Sequence, residues 1–76
     1  MEDRDVLRST IVAVLKYHKV LLADLDGNIT VYLPPDGAPQ VILLPDEYVS
    51  YKLLQGFQWK YGIPIHQFYH PDVIGL

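Results

Sequence analysis

There is no cysteine anywhere in the chain, which excludes disulfides and thiolate metal sites. No apolar run approaches the ~20 residues of a membrane span. Basic residues are few. The six, Arg4, Arg8, Lys16, Lys19, Lys52 and Lys60, are set against nine acidic ones, for a net charge of −3. They stand singly, without the cluster or Arg-rich arm that draws affinity from phosphate, which argues against nucleic acid as a partner. Glycine is sparse too: five residues, spread over turns, caps and the tail, form no phosphate-cradling loop. The opening Met1-Glu2-Asp3-Arg4-Asp5 is acidic where a signal peptide is basic, and the expected location is cytoplasmic.

What is abundant is apolar surface. Half of the 76 residues are hydrophobic. A chain of this length buries only ~60% of the surface that its unfolded form exposes, so part of that apolar content must lie outside the core. The expectation is one domain, residues 1–76, that meets another protein or itself.

Hydrophobic periodicity predicts the elements. Over residues 4–18, Leu7, Ile11, Val14, Leu15 and His18 share a helical face, with acidic residues before and Lys16 and Lys19 closing the helix as its dipole favours. Residues 20–25 and 29–33 read as a hairpin about Asp26-Gly27, a strong two-residue turn signal. That turn would pair Leu22 with Val31 and Val20 with Leu33 on an inner face, leaving Leu21, Ala23 and Tyr32 outside. A Pro- and Gly-rich loop, residues 34–39, leads to a third strand over 40–44. Asp46 is the expected N-cap of a second helix running to Tyr61, with Gly62 as its C-cap and Pro64 blocking continuation. The tail from Ile63 to Leu76 reads as either a helical turn or an edge strand. The predicted fold class is α+β, in the order α-β-β-β-α. A three-stranded antiparallel sheet is covered on one face by two helices, the other face is open, and a C-terminal tail follows.

The aromatic residues are the most informative. On a helix over 46–61, Val49, Leu53, Leu54, Phe57 and Tyr61 form one apolar face. Tyr48, Tyr51, Gln55 and Trp59 form a second stripe almost opposite, where a surface helix normally carries charge. Tyrosine and tryptophan dominate binding hot spots because they bury large areas with few rotors and keep a polar handle. Tyr48, Tyr51, Gln55 and Trp59 are therefore the leading partner-binding candidates, with Leu21 and Tyr32 of the open sheet face beside them. The competing reading is that the tail, through Ile65, Phe68 and Tyr69, folds over the stripe. Gly56, inside the helix, costs ~1 kcal/mol relative to alanine and suits a tight crossing against the sheet or a neighbouring chain.

Catalytic and metal patterns are weak. His66 and His70 stand at i, i+4, but no third ligand follows. His18 reads as a boundary residue with a nitrogen bonded to a helix-end carbonyl. Asp24, Asp26, Asp46 and Glu47 have simpler roles as turn formers, cap and first-turn acid. Ser9, Thr10 and Ser50 lack a neighbouring base. No catalytic residue, metal or cofactor is expected.

From Leu15 onward the chain resembles the HicA-type small toxin family, whose fold is like that of the double-stranded-RNA-binding domain. The parallel stretches are Leu15 to Val20, Gly27-Asn28-Ile29, Val31-Tyr32, Pro35-Asp36-Gly37, Val41 to Pro45, Leu53-Leu54, and Gly62-Ile63 through Phe68, about fifty residues in matching order. The departures bear on activity. The family's catalytic histidine falls at Ile29, which cannot donate or accept a proton. Its helix-ending glycine falls at Lys19, and Asn28 replaces the usual serine. The resemblance implies the fold and argues against RNA cleavage.

The leading expectation is a small non-catalytic protein-binding module of the inhibitor, antitoxin, immunity, phage-modulator or assembly-subunit kind, acting through the aromatic helix stripe. The alternatives are a HicA-like RNA-directed protein, including a degenerate ribonuclease, and a structural homodimer.

Overall fold

The computed structural model describes residues 4–26 and 29–76. Its elements in chain order are β1 (Val6–Leu7), α1 (Arg8–Tyr17), β2 (Leu22–Leu25), β3 (Ile29–Tyr32), β4 (Gln40–Leu43), β5 (Tyr48–Val49), α2 (Tyr51–Tyr61) and α3 (His66–Tyr69), followed by a 3-10 turn over Pro71–Ile74. The class is α+β. Strands β2, β3 and β4 form an antiparallel sheet in that order, and β1 pairs with β5 in a separate two-stranded ladder. The tail is a short helix and a 3-10 turn rather than an edge strand.

Both long helices are shorter at their N-termini than periodicity predicts, for one shared reason. Val6 pairs with Val49 and Leu7 with Tyr48, so each helix is preceded by a strand of two residues. The Arg8 amide, at the start of α1, donates to the Glu47 carbonyl at 2.8 Å. Ser50, in extended conformation, replaces Asp46 as the N-cap of α2. A strand this short has no period to detect, so periodicity alone assigns residues 46–49 to the helix that follows.

The helix ends follow backbone chemistry. Gly62 adopts φ 69° and donates to the Gln58 carbonyl at 2.9 Å, the left-handed cap that glycine takes without a Cβ penalty. After α1 the same role falls to Lys19, at φ 65°, while the Val20 amide returns to the Leu15 carbonyl at 3.1 Å. A non-glycine residue there costs roughly 1–2 kcal/mol.

The hairpin register departs from expectation. Leu22 pairs with Tyr32, Ala23 with Val31, Asp24 with Thr30 and Leu25 with Ile29. The expected two-residue turn lies partly outside the described residues, since Gly27 is not among them. Residues 26–28 separate the paired Leu25 and Ile29, with Asp26 at φ 53°. One residue of slip exchanges the two faces of a strand. Val31 and Leu33, expected inside, therefore point away from the helices, and Tyr32, expected outside, points toward them. Its ring meets Tyr61 of α2 edge-on, at 5.3 Å between centroids. A bulge at Ile42 then shifts β4: Thr30 pairs with Leu43, yet the next residue, Val31, pairs with Val41.

The core lies between the sheet and the helices. Ile11, Val14 and Leu15 come from α1, Leu43 from β4, Leu54 and Phe57 from α2, and Ile63, Phe68 and Tyr69 from the tail. The tail is integral to it. The Phe68 and Phe57 rings are 6.1 Å apart, His18 Nε2 donates to Gln67 Oε1 at 2.5 Å, and the Tyr69 hydroxyl donates to the Arg4 carbonyl at 2.9 Å. His18 thus finds a side-chain amide rather than a helix-end carbonyl.

Candidate functional site

The sheet separates its side chains in an unusual way. Neighbouring residues of a strand point to opposite faces. On the face under the helices are Leu22, Asp24, Thr30, Tyr32, Gln40 and Leu43, half of them with side chains that carry hydrogen bonds. Thr30, only 1% exposed, accepts from Arg8 Nη2 at 2.5 Å and donates to Asp24 Oδ1 at 2.9 Å. Gln40 Oε1 accepts from Lys60 Nζ at 2.7 Å. On the far face are Ala23, Leu25, Ile29, Val31 and Val41. Leu21 and Leu33 extend it, because the Leu33 amide donates to the Leu21 carbonyl at 2.9 Å and continues the ladder.

Every side chain on that far face is apolar. An antiparallel sheet with one covered face ordinarily alternates apolar-in and polar-out, and this one is apolar on its far face as well. Leu21, Leu25 and Val41 each leave half or more of their surface exposed. Val31, in the centre, is 3% exposed, yet it stands outside the helix-side core cluster. Its neighbours on this face are Ala23 and Val41 across the strands and Ile29 and Leu33 along its own.

The aromatic stripe is dispersed. Tyr48 lies on β5, not on the helix. Tyr51 is half-buried and stacks on Tyr69 of the tail, with centroids 6.4 Å apart. Gln55 is exposed. Trp59 is 86% exposed, on the side of α2 opposite Leu54 and Phe57. The tail thus reaches Tyr51 and stops short of Trp59. Leu53, expected in the core, is 43% exposed, while Leu54 is fully buried. A Cβ built on Gly56 would meet nothing within 4 Å, so no contact within the chain accounts for this glycine, and the tight crossing against the sheet does not exist.

Two clefts accompany these surfaces. One, of about 150 Å³, is floored by Leu43 and Val49 and rimmed by Leu44, Asp46, Tyr48 and Leu53. The other, of about 270 Å³, lies between the N-terminal strand and the tail. Its Arg4 is bonded to the Tyr69 carbonyl at 3.4 Å and lies over the Tyr69 ring at 4.8 Å.

Asp24 and Thr30 are tied to each other beneath α1, and His18 to the tail. Among the described residues no group of three or more His, Asp or Glu could hold a metal ion, and no helix is long and apolar enough to cross a membrane. Ile29, where the resembled family has histidine, pairs with Leu25 on the apolar far face. The electrostatics of Tyr61 are perturbed. Burial, and secondarily the nearby Tyr32, push its phenol above the ordinary value, and its buried hydroxyl has no hydrogen-bond partner.

The sequence singles out Leu21 and Trp59, both of which are exposed, but not the continuity of Leu21 with Leu25, Val31, Leu33 and Val41. The apolar alternation 29, 31, 33 was visible. Which side it faced depended on a loop one residue longer than the turn signal implied. No family model, curated protein or solved structure matches this chain.

Proposed function

We propose that this chain is a non-catalytic protein-interaction module whose docking surface is the uncovered sheet face. One observation carries the reading: the sheet face away from the helices is an unbroken apolar set in which Leu21, Leu25 and Val41 are half or more exposed. Thr30 alone of the polar sheet residues is buried, and its hydrogen bonds to Arg8 and Asp24 offset its desolvation, while Asp24 and Gln40 stay exposed on the outer strands. Leu21, Leu25 and Val41 are left in water at roughly 25 cal/mol per Å² of apolar surface. A patch of this kind on a monomer marks an interaction site.

The occupant that fits is an amphipathic helix of another polypeptide. The outer strands of a three-stranded sheet are about 10 Å apart, which matches the 10–12 Å diameter of a helix. The face has no charge and no side-chain hydrogen-bonding group, so the helix must present an equally apolar stripe. Docking would add a helical layer on the far face of the sheet, opposite the layer that α1 and α2 form. The inhibitor, antitoxin, immunity or assembly roles are all ways of using such a contact. An RNA-directed role has less support, since the face lacks both the cations and the stacking rings that bind RNA.

The test compares the wild-type chain with Leu21→Lys/Val41→Lys in pull-downs from native lysate. Both positions are more than half exposed, so the variant should fold. The reading expects a polypeptide bound to the wild type and lost from the variant at unchanged melting temperature. Recovery of RNA in place of protein, or equal capture by both, overturns it.

A further inference from the structure

We infer that the outward ridge of α2 is a two-fold self-association surface, on which Trp59 of each copy enters the cleft beside Leu53 of the other. This inference is independent of the sheet-face reading, because the ridge lies on the side of α2 away from the core and the sheet.

The ridge is built from Leu53, Gly56 and Trp59, spaced i, i+3, i+6, so the three share one row along the helix. The row is symmetric about its centre in a way that specifies a second copy. When two such helices cross antiparallel at Gly56, Trp59 of the second copy falls level with Leu53 of the first, about 4.5 Å along the axis from the crossing point. The reciprocal contact forms at the same time, as an isologous interface requires. Gly56 lets the two backbones approach to the short end of the usual 8–10 Å spacing. It is the residue whose missing side chain nothing else explains, since its Cβ position faces open space.

The cleft of about 150 Å³ beside Leu53 suits an indole. Leu43, Leu44, Tyr48 and Val49 supply apolar walls, and Asp46 is on its lining. A buried tryptophan needs an acceptor for its N–H, and the Asp46 carboxylate is that acceptor. Charge on the ridge is arranged compatibly. Lys52 would come level with Lys60 of the second copy, but the Lys60 ammonium is drawn back toward Gln40 and over the Tyr32 and Tyr61 rings at 5.3 and 5.5 Å. The area suffices as well. Trp59, Leu44, Tyr48 and Leu53 are 86, 61, 56 and 43% exposed. With the aliphatic stems around them they offer on the order of 600 Å² per copy, about 1,200 Å² for the pair, which is the lower bound for a specific stable interface.

Trp59 is the only tryptophan in the chain, so its emission reports the contact directly. The experiment follows light-scattering mass and tryptophan emission of the full chain against concentration. The wild type is expected to rise from 8.7 kDa to twice that mass, with a blue shift as Trp59 leaves water. Gly56→Leu should keep or raise the melting temperature, since leucine favours helix over glycine, and should weaken dimerisation by at least ~30-fold. Trp59→Ala should weaken it by at least ~30-fold, as a hot spot does. Leu21→Lys/Val41→Lys should leave mass and emission unchanged. A wild type that stays at 8.7 kDa without spectral change at millimolar concentration overturns the inference. So does a dimer that survives Gly56→Leu and Trp59→Ala, or one abolished only by the sheet-face variant.

Discussion

Thr30 and Val31 are neighbours in the chain, both almost wholly buried, and they point to opposite sides of the sheet. Thr30 lies beneath α1 in a chain of hydrogen bonds from Arg8 to Asp24. Val31 is the centre of the apolar far face, outside the core cluster beneath the helices. This division between the two faces organises the fold and its proposed use.

Thr30→Val is close in shape and removes only the hydroxyl that joins Arg8 to Asp24. Arg8 Nη1 already lacks a partner, so the guanidinium would retain only the long 3.4 Å bond from Nη2 to the Leu43 carbonyl. Loss of a buried partner costs about 1–3 kcal/mol. Urea unfolding should show that loss. An unchanged midpoint would mean that the network does not hold α1 on the sheet.

The two adjacent leucines of α2 should differ sharply. Leu54→Ala opens a cavity in the core and should cost ~2–5 kcal/mol, enough to unfold much of a domain this small. Leu53→Ala, at the exposed rim of the cleft, should cost well under ~1 kcal/mol in the monomer. Thermal denaturation at low protein concentration separates the two. Equal costs would show that the helix is rotated from the orientation described.

This pair also shows how far the sequence could be read. The cap at Gly62, the three strands and the two helices followed from glycine chemistry and periodicity, which are local. The helix rotation did not, because Tyr48 and Val49 belong to a strand of two residues whose partner, Val6–Leu7, lies more than forty residues away. The sheet faces did not either. An apolar alternation marks a strand but not its side, and the side follows from the register in which Leu25 pairs with Ile29 and Ala23 with Val31. Trp59 was legible because a lone tryptophan opposite Leu54 and Phe57 stays outside whether the helix begins at 46 or at 51.

Tyr61 sets an alkaline limit. Its folded pKa is raised above the unfolded value, chiefly by burial, so the folded state holds the phenolic proton more tightly. The stability this contributes is fully present below the unfolded pKa, near 10. It is lost as pH rises through the folded value. Tyr61→Phe removes a hydroxyl that has no partner and should be neutral or slightly stabilising at pH 7. Melting temperatures between pH 8 and 11 should fall less steeply in the variant than in the wild type. Parallel curves would assign the alkaline loss to other groups.

The absence of cysteine makes the central claim directly measurable. Val41→Cys places a single thiol on the apolar sheet face, at a site 56% exposed, for attachment of a photo-crosslinker. Irradiation in native lysate should join the chain to one defined polypeptide through an apolar helical segment of that partner, as mass spectrometry of the cross-linked peptide would show. A probe at Asp72→Cys, exposed in the 3-10 turn of the tail, should not capture it. Cross-links from Val41→Cys that lead only to nucleic acid, or that match those from Asp72→Cys, would contradict the account.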